Sequence, residues 1–189
     1  MRLLIASDIH GSALYCNELI KRYKEEKAER IILLGDILYH GPRNDLPDEY
    51  GPKEVIKALN SLKDDIICVR GNCDTEVDQT VLDFPIMADY ALIVADGITL
   101  FATHGHKYNT EKKPPLHSGD VLLCGHTHIP AKVFFDNNVY INPGSVSIPK
   151  GGSARGYIIF QNGVFDWKTL KGETFDRFEY VHSSFALCN

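Results

Sequence analysis

Apolar residues fall in short blocks separated by polar stretches. Blocks at 3–6, 31–34, 66–69, 98–102, 121–124, 139–141 and 157–160 are rich in Ile, Leu and Val and too short for a helix. Runs of that length read as buried strands. Residues 164–170 alternate less cleanly and predict an edge strand. Two other segments follow the helical period. In 12–28, Leu14, Leu19, Ile20 and Tyr23 share one face. A second helix starts at Pro52, where a missing N–H costs nothing, and Val55, Ile56, Leu59 and Leu62 recur along it. Residues 75–82 predict a short third helix, closed by Pro85.

The first half therefore reads β-α-β-α-β, which calls for parallel pairing with helical cover. The later strands lie closer together, with Gly, Asn and Pro between them, and predict a second, mainly antiparallel sheet. No repeat or linker divides the chain, and 189 residues suit one domain. The polar stretch 107–119 predicts a surface loop beside the functional site.

Composition narrows the class. Apolar residues at 44% and charged residues at 24% exclude a disordered chain. No run is long enough to span a bilayer, and the apolar start is too short for a secretory signal. A net charge of −5 is a poor match for duplex nucleic acid, though it leaves room for a local cationic site. The five cysteines, Cys16, Cys68, Cys73, Cys124 and Cys188, are odd in number and scattered. They predict no disulfide framework and a reducing, cytoplasmic location.

The candidate chemistry sits just after the apolar blocks. Asp8 and His10 follow the first, Asp36 the second, Asn72 the third, His104 the fourth, and His126 with His128 the fifth. Carboxyl ends of parallel strands share one edge of a sheet, so seven oxygen or nitrogen ligands would meet in one place. Gly11, Gly35, Gly71, Gly105 and Gly125 each adjoin one of these ligands, as sharp strand-to-loop turns require. Taken singly, each block is an ordinary turn. His-x-His on an extended segment puts both rings on one face, which is suggestive but weak alone. The signal lies in all five blocks occurring in this order.

In that order D-x-H, G-D, G-N, H-G-H and G-H-T-H resemble the metal-binding blocks of calcineurin-like metallophosphoesterases. GDILYHGPRNDLP, RGNCDTEVDQ, LDFPIMA, THGHKY, GDVLLCGHTHIP and INPGSVSIPKGG are similar to that superfamily's small bacterial phosphodiesterases, over residues 1 to 152. The resemblance implies an α/β fold, a four-layer α/β/β/α sandwich of two mixed β-sheets flanked by helices, forming a single metallophosphoesterase domain over 1–189. It implies that Asp8, His10, Asp36 and His128 hold one divalent ion, and that Asp36, Asn72, His104 and His126 hold a second. Asp36 would bridge through its two carboxylate oxygens. Imidazole with carboxylate suits Mn²⁺, Fe²⁺ or Zn²⁺ better than Mg²⁺; the resemblance favours Mn²⁺, with Ni²⁺ a further candidate. Two divalent ions against two carboxylates leave a local positive excess, an anion trap inside an acidic protein. A water bridging the ions would become hydroxide near neutral pH and attack phosphorus in line.

Two departures matter. Many relatives carry G-N-H, whereas this chain has Gly71-Asn72-Cys73. Catalytic roles then fall on Asn72 and Cys73, the thiol being either a weak leaving-group acid or a small filler. His40 stands where the fold's protein phosphatases place an arginine, and losing that bidentate clamp argues against a phosphoprotein monoesterase. His40, Arg43 and His106 are candidate substrate contacts, with Asn44 beside them. His106 reads equally as a support for His104 or the metals and as a surface histidine, and Arg43 as part of a solvated loop. Residues 142–145 either aim backbone N–H groups at the site or form a tight turn. His117 and His182 are expected on the surface. The favoured reading is a phosphodiesterase acting on a small phosphodiester, with no duplex nucleic acid or membrane partner; a homo-oligomer is compatible with the sequence. The competing readings are a phosphomonoesterase or nuclease of the same fold, and a non-catalytic protein-binding scaffold. The complete ligand set argues against the scaffold.

Overall fold

The computed structural model describes residues 1–181, so His182 and Cys188 lie outside the described residues. In chain order the elements are β1 (Leu3–Ala6), α1 (Ala13–Glu26), β2 (Arg30–Leu33), α2 (Pro52–Asn60), β3 (Ile66–Cys68), α3 (Glu76–Gln79), β4 (Tyr90–Ala95) and β5 (Ile98–Thr103). They continue with β6 (Val121–Leu123), β7 (Pro130–Phe135), β8 (Asn138–Pro143), β9 (Gly156–Gln161), β10 (Val164–Thr169) and β11 (Thr174–Glu179). Ser12 caps α1 by accepting from the Tyr15 N–H, and Lys27 ends it in the left-handed conformation.

One sheet runs β11-β10-β9-β1-β2-β3 and the other β4-β5-β6-β8-β7. As expected, β1, β2 and β3 are parallel. The second sheet corrects the expectation of mainly antiparallel pairing. Its centre, β5-β6-β8, is parallel, and only the flanking strands β4 and β7 are antiparallel. β10 is not an edge strand either, because β11 pairs beyond it. The predicted third helix shrinks to the single turn of α3, closed by a reciprocal Thr75–Asp78 capping box.

Period-two alternation explains the layers. Leu4, Ala6, Ile31, Leu33 and Ile159 face α1 and α2, meeting Leu19, Val55 and Leu59. Their neighbours Leu3, Ile5, Ile32, Ile158 and Phe160 face the other sheet, meeting Leu100, Ala102, Leu123 and Ile141. Each such buried side chain contributes about 1.5–3 kcal/mol, so the two-sheet core stands without help from the site. The two mixed sheets of the expected sandwich are both present. Among the described residues the three α-helices all precede β4. The far side of the second sheet is covered by the 104–119 segment, whose Tyr108 and Leu116 pack on Phe101, Leu122, Cys124 and Tyr140. Pro114 and Pro115 keep that segment from becoming a helix. Among the described residues no helix is long and apolar enough to cross a membrane.

The parallel centres of both sheets end at the same edge, and their loops are laced together. Asp8 N–H donates to the Gly35 carbonyl at 3.1 Å, His10 N–H to that of Asp36 at 2.9 Å, and Gly125 N–H to that of His104 at 2.8 Å.

Candidate metal centre

The turns that leave the strands bend sharply, and the predicted ligands themselves make the bend. Asp8, His10, Asp36, His126 and His128 all have positive φ, between 50° and 67°. Left-handed backbone costs an L-residue about 1–2 kcal/mol and collects at functional sites. Where one loop passes another, glycine is required for a different reason. A Cβ on Gly71 would lie 2.1 Å from Asp36 Oδ1, and one on Gly125 would lie 1.8 Å from Ser7 Oγ.

Three histidines are locked in one tautomer. Nδ1–H donates to a backbone carbonyl in His10 (Tyr39, 2.7 Å), His104 (Leu34, 2.6 Å) and His128 (Ile148, 2.6 Å). Each Nε2 therefore faces inward and offers a lone pair there once the ring is neutral. His10 Nε2 lies 3.3 Å from His128 Nε2 and 3.6 Å from Asp8 Oδ1, and His128 Nε2 lies 3.3 Å from that oxygen. His104 Nε2 lies 3.4 Å from Asp36 Oδ2, 3.0 Å from Asn72 Oδ1 and 3.2 Å from His126 Nδ1. All seven predicted ligands thus meet in two adjoining clusters. The link between them is Asp36 Oδ2, which is also 3.7 Å from His10 Nε2.

Asp36 Oδ1 accepts the Cys73 N–H at 2.8 Å, and Oδ2 lies toward both clusters. The donor set fits divalent cations. Asp8 Oδ1 is fully buried and accepts no hydrogen bond, and a buried carboxylate oxygen without a donor is costly unless a cation answers it. Ligand atoms of Asp8, His10 and His128 come within 4.8 Å of one another, as do those of Asp8, Asp36 and His104.

Burial and charge pull on these groups in opposite directions. Burial would raise Asp8, but the neighbouring His10 and His128 imidazoles hold its carboxyl well below the usual range. Burial would lower His104, but Asp36 and Asp8 push it up to about 9. His106 falls to about 4, through burial and then the neighbouring His104 charge. The raised His104 value has a signed consequence. Its proton stabilises the metal-free fold below the ordinary histidine pKa, and that contribution is lost as pH rises through about 9. Metal needs the same nitrogen deprotonated. Mn²⁺ binding near pH 7.5 should therefore release protons, and affinity should climb toward pH 9. Calorimetry in buffers of different ionisation heat measures the release; pH-independent affinity without proton release would contradict the assignment.

Several supports escaped sequence reasoning. Asp74, 1% exposed, accepts from Asp36 N–H (2.8 Å), Gly71 N–H (2.7 Å) and Ile37 N–H (2.9 Å). Ser145 and Ser147 hydroxyls donate to the Asp8 carbonyl at 2.9 and 3.1 Å. Residues 142–145 serve as a brace: Asn142 Nδ2 donates to the Gly125 carbonyl, and its Oδ1 accepts the Gly144 N–H.

A cavity of about 360 Å³ opens over the clusters, lined by His10, Asp36, Asn72, Cys73, His126 and His128 and, at its mouth, Gly41, Pro42, Arg43, Asn44 and Lys150. Arg43 and Asn44 are among the lining residues. His40 is not among the lining residues; its ring packs edge-on between Tyr39 and Tyr50. His106 is also outside the lining; its ring lies tilted against His104 and His126, at 5.4 and 6.2 Å between centroids. Cys73 is buried, its thiol pushed up to about 12 by burial and by Asp36.

Two sheets whose strand ends gather four histidines, two aspartates and an asparagine define a metallophosphoesterase. A model of the calcineurin-like phosphoesterase superfamily domain matches residues 1–162, and the chain belongs to that superfamily. Within it, the chain is 44% identical over 174 residues to phosphodiesterase YfcE of Escherichia coli K12, covering 92% of this chain and 95% of that protein. The structure of the E. coli phosphoesterase Yfce matches with a TM-score of 0.92 at 41% identity, over 96% of this chain and all of that one. Zn²⁺-complexed wild-type Vps29 from Entamoeba histolytica, 15% identical with a TM-score of 0.60 over 96% of this chain and 100% of that one, shares the fold alone.

Proposed function

We propose that this protein is a metal-dependent phosphodiesterase acting on a small phosphodiester. In this reading Asp8, His10, Asp36 and His128 hold one divalent ion, and Asp36, Asn72, His104 and His126 hold the other. The observation that carries it is Asp36 Oδ2, set within 3.4 Å of His104 Nε2 and 3.7 Å of His10 Nε2. Mn²⁺ is the preferred ion, since imidazole and carboxylate together suit it better than Mg²⁺. Two such ions supply a water of lowered pKa as nucleophile and neutralise phosphoryl charge.

The chain's own residues orient and shield. The Cys73 N–H fixes the plane of the Asp36 carboxylate. Asn72 places its Oδ1 toward His104 and donates Nδ2–H to the Cys73 sulfur at 3.2 Å. In this reading Cys73 fills space beside Asp36, and aryl leaving groups need no acid. Gly41 passes close to Cys73: a Cβ built on that glycine would lie 3.2 Å from the sulfur. The buried free thiols Cys16, Cys68, Cys73 and Cys124 suit a reducing cytoplasm.

The test is metal analysis followed by a panel of aryl diesters and monoesters with and without Mn²⁺. Mn²⁺-dependent diester cleavage exceeding monoester cleavage is expected, and Cys73→Ser should retain most aryl diesterase activity. Metal-independent cleavage, or a preference for monoesters, would defeat the proposal.

A further inference from the structure

Seven arginines occur in the chain, and six are ion-paired: Arg2 to Glu26, Arg22 to Glu25, Arg30 to Asp65, Arg70 to Glu76, Arg155 to Asp48 and Arg177 to Asp166. Among the described residues Arg43 alone has no carboxylate partner. In a chain of net charge −5, a solvated arginine would be expected to find an acid as readily as the others do. Arg43 instead stands at the mouth of the metal cavity, beside Lys150, which also has no ion pair among the described residues.

Both residues are held in place by their backbones. The Asn44 side chain donates to the His40 carbonyl at 2.8 Å and closes the turn that carries Arg43. Lys150 N–H donates to the carbonyl of His128 at 3.1 Å, tying the lysine to a predicted metal ligand, and its own carbonyl accepts from Ser153 Oγ at 2.7 Å. The lone carboxylate in the cavity lining is Asp36, which the metals answer. The two cations are therefore additional to whatever the scissile phosphate needs, since one diester charge already finds a positive centre.

The cavity also continues outward. A second cavity of about 370 Å³ shares Arg43 and Asn44 with the first and reaches Arg155. Arg155 is already answered by Asp48 and stacked on the Tyr15 ring at 4.2 Å. Arg43 thus stands at the junction of the two cavities and Lys150 on the metal side of it, while the acids Asp45 and Asp48 line the second cavity.

We infer that Arg43 and Lys150 form a subsite for a second anionic group, so that the preferred substrates are phosphodiesters carrying a further phosphate next to the scissile one. This rests on the diesterase reading above and adds the substrate class. The planar guanidinium suits bidentate phosphate contact, and the lysine adds a point charge. The remainder of the substrate would extend into the second cavity.

The test compares two aryl esters with the same p-nitrophenyl leaving group, one of a nucleoside monophosphate and one of the matching nucleoside diphosphate, cleaved at the aryl-bearing phosphorus. The Mn²⁺-loaded enzyme should favour the diphosphate ester about tenfold in kcat/KM, mostly through KM, as charged hydrogen bonds at a partly exposed site allow. The preference should shrink with added salt. In Arg43→Gln, and more fully in Arg43→Gln with Lys150→Gln, the ratio should fall toward one at unchanged metal content. Equal cleavage of both esters by the wild type would overturn the subsite while leaving the diesterase reading intact, and so would variants that preserve the ratio. Cleavage of neither ester would remove the diesterase reading itself and the subsite with it.

Discussion

Asp36→Ala is expected to lower kcat/KM toward an aryl phosphodiester at least about a hundredfold, equivalent to roughly 2.7 kcal/mol of transition-state stabilisation. Its Oδ2 is the atom that both ligand clusters share, and its Oδ1 holds the Cys73 N–H at 2.8 Å. Alanine removes a ligand from each cluster and frees the loop that presents Asn72. His128→Ala should cost less, because its Nε2 faces only Asp8 and His10. The left-handed backbone at position 36 (φ 57°) disfavours alanine on its own account. Asp36→Asn, which tolerates that conformation better, separates folding from ligation. Both variants should fold and carry less divalent metal after reconstitution. Wild-type turnover at full metal content in either would remove the shared-ligand assignment.

The parts of the fold legible in the sequence are those buried on both faces. β1, β2, β3, β5, β6, β8 and β9 announce themselves as apolar blocks because most positions along them are buried. β4, β7 and β11 sit at sheet edges, are largely exposed or half-buried and merge into the surrounding polar sequence. The extra strand beyond β10 and the parallel centre of the second sheet were hidden for the same reason: pairing partners are set by tertiary packing, which a local pattern does not carry. The seven ligands were legible because each follows such a block. Their backbone conformation was not. Gly11, Gly35 and Gly105 take the positive φ expected of them, Gly71 and Gly125 instead relieve contact between neighbouring loops, and Asp8, His10, Asp36, His126 and His128 take up positive φ as well. His40 looked like a substrate contact by its spacing from Asp36, yet its ring completes an aromatic wall with Tyr39 and Tyr50.

Asp74 was invisible for another reason: in sequence, an acid that answers backbone N–H groups looks like any loop acid. Its two oxygens clamp the turn at 36–37 to the turn at 71, joining the loop of Asp36 to the loop of Asn72. Burial raises its pKa against the three N–H donors that lower it; among the described residues it forms no ion pair. Asp74→Ala would leave three buried N–H groups unpaired, each worth about 1–3 kcal/mol. A loss of at least about 3 kcal/mol is expected, a large fraction of the roughly 5–15 kcal/mol that holds a domain together. Asp74→Asn keeps one accepting oxygen but turns an NH₂ toward a donor, so it should fold with a smaller loss. Its loosened clamp should weaken Mn²⁺ binding by about tenfold, the low end of what outer supports of metal ligands contribute. Urea unfolding of the metal-free proteins measures the first effect, and metal titration of Asp74→Asn the second. An unshifted urea midpoint in Asp74→Ala would mean the clamp adds nothing to the fold. Wild-type metal affinity in Asp74→Asn would mean that Asp36 holds its position without it.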